Sequence, residues 1–189
     1  MRPKRVHEII ACPQFQDGTY DESKYGGHAV EAILAEVLEK YGFEAQKEVS
    51  YENIVGHPDF VRVADQYVEF IEVKNTAQVS YLHVVQASMY KSLLYKVYNK
   101  PVLGYLLYVK FRVVLGDSPI VPKWARDLGV RYVFLPLDGG ENYVNWGLFR
   151  LSYKSKIAGP YCVNCRNSEC RIRPIIINGL RKNMLELEE

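Results

Sequence analysis

The sequence predicts one α/β domain in which a mixed sheet is flanked by helices, and three observations carry that expectation. β-Branched and aromatic runs fill 55–63, 67–74, 101–116 and 130–137. Two stretches, 27–41 and 79–99, repeat apolar residues at helical spacing. Strands and helices also alternate along the chain instead of segregating. With 189 residues, 48% hydrophobic and 24% charged, the chain suits a single soluble domain, 1–189, with a full core.

In chain order, the helix at 27–41 has Ala29, Ile33, Leu34, Val37 and Leu38 as its apolar face, with His28 in its first turn. The runs at 55–63 and 67–74 are joined by Ala64-Asp65-Gln66, a plausible turn, and form a β-hairpin. The helix at 79–99 presents Val79, Leu82, Val85, Met89, Leu93 and Val97 on one side. PVLGYLLYV, KFRVVLG and VRYVFLPL read as strands extending the sheet, with a short helix at 123–128 and a turn at Asp138-Gly139-Gly140. There is no internal repeat and no low-complexity tract.

Chemistry gathers on the hairpin. Asp59 is followed thirteen positions later by Glu72-Val73-Lys74. Glu72 and Lys74 leave the same face of their strand, roughly 6.6 Å apart along it, and pairing brings Asp59 across from them. Two hard carboxylates can hold Mg²⁺ or Mn²⁺ against a phosphodiester, and an ammonium can stabilise the attacking water or the charge on phosphorus. A surface hairpin with solvated charges fits the same spacing. Gln86 and Tyr90, four apart on the following helix, project from neighbouring turns of one face. The neutral imidazole of His28 can complete a metal's shell or serve as a helix-start residue.

Of the four cysteines, Cys162, Cys165 and Cys170 form a C-x2-C-x4-C cluster, and Cys12 lies 150 residues before the first of them. Four thiolates suit tetrahedral zinc, and a one-plus-three set suits an iron–sulfur cluster; spacing leaves both open. No leader or long apolar stretch is visible, so a reducing, cytoplasmic setting without a membrane is expected. A net charge of +2 is modest, but 151–182 holds seven basic residues against one acid, Glu169, a local positive surface for phosphates. Most of the fifteen tyrosines alternate with aliphatic residues as half-buried packing; Tyr161, beside Cys162, is the one placed for stacking on a strand end.

Taken in order, His28, Asp59, Glu72-Val73-Lys74 and Gln86-x-x-x-Tyr90 resemble the RecB-like branch of the PD-(D/E)xK nuclease superfamily, and HAVEAIL, GHPDF, EVKN and QASMY carry the resemblance. It implies a restriction-endonuclease-like (RecB-type) mixed sheet flanked by helices. It implies a Mg²⁺ or Mn²⁺ held by His28, Asp59, Glu72 and the main-chain carbonyl of Val73. Lys74 would be catalytic, with Gln86 and Tyr90 lining the DNA path. Cys12-Pro13 together with CVNCRNSEC is similar to the iron–sulfur nucleases, among them the CRISPR-associated Cas-four exonucleases. That similarity implies a cluster on Cys12, Cys162, Cys165 and Cys170, [4Fe–4S] favoured over [2Fe–2S]. The cluster would staple 1–20 to 151–189 as an iron–sulfur lobe and crosslink the chain ends. Gln14-Phe15-Gln16 departs from the basic residue and tyrosine common in that family.

The chain has no Gly-Lys dipeptide and therefore no G-x-x-x-x-G-K-[ST] phosphate loop, so a nuclease without a helicase motor is the expectation. The activity implied is a metal-dependent DNA exonuclease, with endonuclease action as an extension. It would trim single-stranded DNA or strand ends for CRISPR spacer acquisition, with integrase proteins as partners. The alternatives are a repair or viral recombination nuclease of the same fold, and a nucleic-acid-binding adaptor of the adaptation complex.

Overall fold

The computed structural model describes residues 3–10, 24–139, 142–145 and 148, with the backbone alone at 10 and 24–28. β1 (Lys4–Arg5) and α1 (Val6–Ile10) come first. α2 (Lys24–Leu38) continues into a 3₁₀ turn, Glu39–Tyr41, and ends at Gly42, whose left-handed φ of 80° lets its N–H return to the Glu39 carbonyl. Then follow β2 (Glu44–Ala45), β3 (Val49–Tyr51), β4 (Ile54–Gly56), β5 (Phe60–Val63), β6 (Val68–Lys74) and α3 (Tyr81–Tyr98). β7 (Val102–Tyr108), β8 (Val113–Gly116), α4 (Lys123–Asp127) and β9 (Arg131–Phe134) complete the described elements.

These strands form two mixed sheets, one of order β1-β4-β3 and one of order β2-β5-β6-β7-β8-β9. β5 and β6 are an antiparallel hairpin, whereas β6 and β7 are parallel and need a crossover, which α3 supplies. The Ser80 hydroxyl starts α3 by accepting from the Leu82 N–H, and Asn99, at φ 50°, ends it. α3 lies between the sheets, against β6 and β7 on one side and β3 and α1 on the other. That burial on two sides explains why Ser88 and Ser92 are buried beside Val85, Met89 and Leu93.

The large sheet's second face is covered by α2 and α4, where Leu38, Phe60, Ile71, Val73, Tyr105 and Trp124 pack together. Covered on both faces, β6 buries six of its seven residues, so the hairpin is interior and not a surface ribbon.

Several expectations shift. The run at 55–63 is not one strand: Ile54–Gly56 belongs to the small sheet and Phe60–Val63 to the large one. The chain changes sheets at His57-Pro58, and Pro58 has no N–H to give a ladder. On α2, two apolar stripes overlap, and the one that meets the sheet is Val30, Leu34 and Leu38, with Ala35 beside it. Ala29 is exposed and Ile33 is 68% exposed. The helix expected over 79–99 runs Tyr81–Tyr98: Val79 precedes it, Val97 lies in its last turn, and both are exposed. The strands at 101–116 and 130–137 do extend the sheet, as β7, β8 and β9.

Cys12, Cys162, Cys165, Cys170, Tyr161 and the basic stretch 151–182 lie outside the described residues, as does Gly140 of the expected turn. Of the N-terminal segment, Lys4 and Arg5 pair in parallel with Ile54 and Val55, and Val6 and Ile9 are buried in the core around α3. Among the described residues no helix is long and apolar enough to cross a membrane.

One polar clamp locks α3 to the sheet. Asp117, just after β8, accepts from the N–H groups of Gly104, at 2.9 Å, and Leu137, and it pairs with Lys91 of α3 at 2.9 Å. Lys91 also donates to the Leu137 carbonyl at 2.9 Å. The Asp117 side chain is only 6% exposed. Asp117→Ala strands a buried cation and two N–H groups, so urea denaturation should show about 3–5 kcal/mol of lost stability. A loss below about 1 kcal/mol would mean the pair behaves as a solvated one.

Candidate active site

Side-chain alternation along β6 decides what meets what. Val68 and Phe70 join the core around α3, and Ile71 and Val73 join the core against α2, so Glu72 and Lys74 face α3. Phe60 pairs with Ile71, and continuing that register sets Asp59 opposite Glu72. The two carboxylates and Lys74 thus converge under Gln86 and Tyr90.

Asp59 is held from two sides. Its Oδ2 accepts from the Val73 N–H at 2.7 Å and its Oδ1 from Gln46 Nε2 at 3.0 Å. Lys74 Nζ donates to Glu72 Oε1 and to Gln86 Oε1, each at 2.8 Å. Gln86 Nε2 in turn reaches the Tyr90 hydroxyl at 3.4 Å. The Tyr90 ring stands edge-on to Phe70 and closes over Gly56, where an added Cβ would come within 2.8 Å of the ring. Gln86 and Tyr90 are therefore part of the site's wall, four residues apart as helical geometry requires.

Burial dominates the electrostatics. Asp59 is pushed up to about 8, first by burial and then by the charge of Glu72, against the hydrogen bond from Val73. Burial also raises Glu72, opposed by Lys74. Tyr90 is raised by burial and then by Glu72, which keeps its phenol protonated. Glu72 Oε2 is buried with no hydrogen-bond partner among the described residues. An orphaned carboxylate oxygen beside a second carboxylate is what a hard cation's ligand looks like without the cation.

His28 falls on α2, and its side chain is outside what is described. Among the described residues no group of three or more His, Cys, Asp and Glu is gathered closely enough to hold a metal. Of the four residues expected to hold the metal, Asp59, Glu72 and Val73 are described in full and His28 by its backbone alone.

Other nearby ionisable groups have structural partners. Glu69 pairs with Arg62, whose guanidinium lies 5.2 Å over the Phe43 ring. His83 Nδ1 meets the Tyr108 hydroxyl at 2.8 Å, and burial, followed by Lys74, pushes it down to about 4, so it is neutral. His57 faces Glu48 at 3.6 Å.

Two residues at the site were not marked by sequence reasoning, Gln46 and Glu31. Glu31 sits three residues past His28, a spacing that places both on one side of a helix and could have marked it. Nothing in the sequence marks Gln46, whose role depends on a left-handed backbone, φ 50°.

No protein-family model matches the sequence, and no curated protein is similar to it. Six solved chains do match. One is the crystal structure of SSO0001, with a TM-score of 0.52 and 13% identity over 92% of this chain and 87% of that one. At that identity the likeness is one of fold, and the chain shares with SSO0001 a mixed α/β architecture.

Proposed function

We propose that this chain is a divalent-metal-dependent deoxyribonuclease of RecB-like, restriction-endonuclease-like fold. The observation that carries the reading is the convergence of Asp59 and Glu72, with Glu72 Oε2 buried and unpartnered among the described residues, beside Lys74. Asp59 and Glu72, with the Val73 carbonyl and His28, would hold Mg²⁺ or Mn²⁺. That cation supplies Lewis acidity toward a phosphodiester oxygen and lowers the pKa of the attacking water.

The chain's own groups do the rest. The Val73 N–H and the Gln46 amide fix the rotation of the Asp59 carboxylate. Glu72 and Gln86 take two of the three N–H bonds of Lys74, leaving the third for a phosphate oxygen. Gln86, hydrogen-bonded onward to Tyr90, keeps the ammonium aimed along the wall of α3.

The cysteines support a finer proposal. Cys12, Cys162, Cys165 and Cys170 would carry an iron–sulfur cluster, [4Fe–4S] before [2Fe–2S], in a lobe made by the chain ends. The substrate would be DNA strands or ends, trimmed for CRISPR spacer acquisition alongside integrase proteins in the cytoplasm.

The test is cleavage of end-labelled single-stranded DNA by anaerobically purified protein, with Mn²⁺ and with EDTA. Nucleotide release that requires Mn²⁺ is expected. DNA binding without turnover in Mn²⁺ would replace the nuclease with a binding adaptor. A visible absorption spectrum with iron and sulfide analysis tests the cluster, and a colourless protein holding only zinc would overturn it.

A further inference from the structure

One imidazole beside the site has no part in the steps above. His83, Gln86 and Tyr90 lie at i, i+3 and i+7 of α3 and so share the face that meets the large sheet. Beneath that face, Lys74 and Tyr108 are paired in register at the carboxyl ends of β6 and β7, two parallel strands. Gln86 takes the Lys74 ammonium at 2.8 Å, and one turn nearer the start of α3 His83 Nδ1 meets the Tyr108 hydroxyl at 2.8 Å. Imidazole and ammonium are neighbours along one wall, close enough for the charge of Lys74 to act on the ring.

The state of that ring follows from its surroundings. Burial first, and Lys74 second, keep the imidazole neutral at neutral pH. Burial also keeps the Tyr108 phenol protonated, and the Ser80 main chain hydrogen-bonds it. A phenol has one hydrogen to give, and giving it to Nδ1 places the ring's own hydrogen on Nε2. Among the described residues Nε2 has no partner, and it is not one of the side-chain atoms buried without one, so it opens to solvent. A neutral N–H beside a lysine ammonium suits a phosphate oxygen, because it adds a directed hydrogen bond without adding charge. It cannot be a general acid there, since losing that hydrogen would leave an imidazolate anion.

We propose that His83 is a substrate-contacting residue of this site, donating from Nε2 to a phosphate oxygen of the DNA strand that Lys74 engages, with Tyr108 as the positioning residue that fixes the ring. The inference rests on the nuclease reading of the site.

Two measurements on the full chain test it: Kd for a labelled single-stranded oligonucleotide in EDTA, by fluorescence anisotropy, and kcat and KM for its cleavage in Mn²⁺. His83→Leu keeps bulk but no donor, and is expected to raise Kd and KM about tenfold with kcat changed less. The slope of log Kd against log salt should stay as in the wild type, because the lost donor is neutral. His83→Gln, whose amide can donate from near the Nε2 position, should bring Kd back to within about twofold of the wild type. Tyr108→Phe should weaken binding several-fold in the wild type and not at all on top of His83→Leu, a coupling that a purely structural role of Tyr108 would not give. Wild-type Kd and KM in His83→Leu overturn the inference and leave the nuclease reading standing. A loss that His83→Gln does not restore also overturns it, because packing and not donation was then removed. A folded wild type that neither binds nor cuts DNA removes the nuclease reading, and this inference with it.

Discussion

Replacing Lys74 by alanine is expected to lower Mn²⁺-dependent DNA cleavage by about 10²–10⁴-fold, with DNA binding little changed. The ammonium sits 2.8 Å from both Glu72 Oε1 and Gln86 Oε1, so its position is fixed by two acceptors on different elements. In the proposed nuclease alanine would remove the charge meant for the phosphate, and it leaves the Glu72 carboxylate, only 4% exposed, without its cation. Activity and stability therefore fall together in Lys74→Ala, and Glu72→Gln separates them. The glutamine keeps the volume and an oxygen that can still accept from Lys74 Nζ but removes the carboxylate charge, so it should be as inactive while losing less stability than Lys74→Ala. Single-turnover cleavage and thermal melting on both variants check this, and a Glu72→Gln protein that still cuts at the wild-type rate would displace the site from β6.

The second large effect is on stability against pH in the absence of metal. Asp59 has an ordinary value of 3.8 and is pushed up to about 8 in the folded protein, by burial first and Glu72 second. Between those two values the folded state holds a proton that the unfolded chain has released, so folding becomes less favourable as pH rises. The stability is fully present below the unfolded value and is lost as pH passes through the folded one. Glu72, raised in the same direction, adds to the slope. In EDTA, urea denaturation should show about 2–5 kcal/mol less stability at about pH 8.5 than at about pH 5. Asp59→Asn should flatten that dependence. Saturating Mn²⁺ should restore the loss at high pH, because a cation binds the deprotonated carboxylates of the folded state. A metal-free wild type equally stable at both pH values would mean that Asp59 is solvated.

Much of this arrangement is legible in the residues. β6 reads directly, since an unbroken run of β-branched and aromatic residues is what a strand covered on both faces needs. Glu72 and Lys74, two apart on it, had to share a face, and Gln86 and Tyr90, four apart on α3, had to share theirs. The small sheet was not legible, because strands of two or three residues such as β1 and β4 carry too little periodicity to separate from loops. For the same reason 55–63 looked continuous, and Pro58 was the one residue that spoke against it. Local pattern also could not choose between the two apolar stripes of α2, since that choice depends on where the sheet lies. Gln46 reaches the site through tertiary contact alone.

The passage at His57-Pro58 makes the site a gauge of how the two sheets sit. Gly56 ends β4 in the small sheet and Phe60 begins β5 in the large one, with Asp59 in the three-residue span between them. Glu72, its partner carboxylate, is anchored wholly in the large sheet. Upstream, β4 pairs with β1 at the start of the chain. Asp59 is joined to the small sheet through His57-Pro58 and to β6 through the Val73 N–H at 2.7 Å, so the spacing of the two carboxylates depends on how both sheets are held.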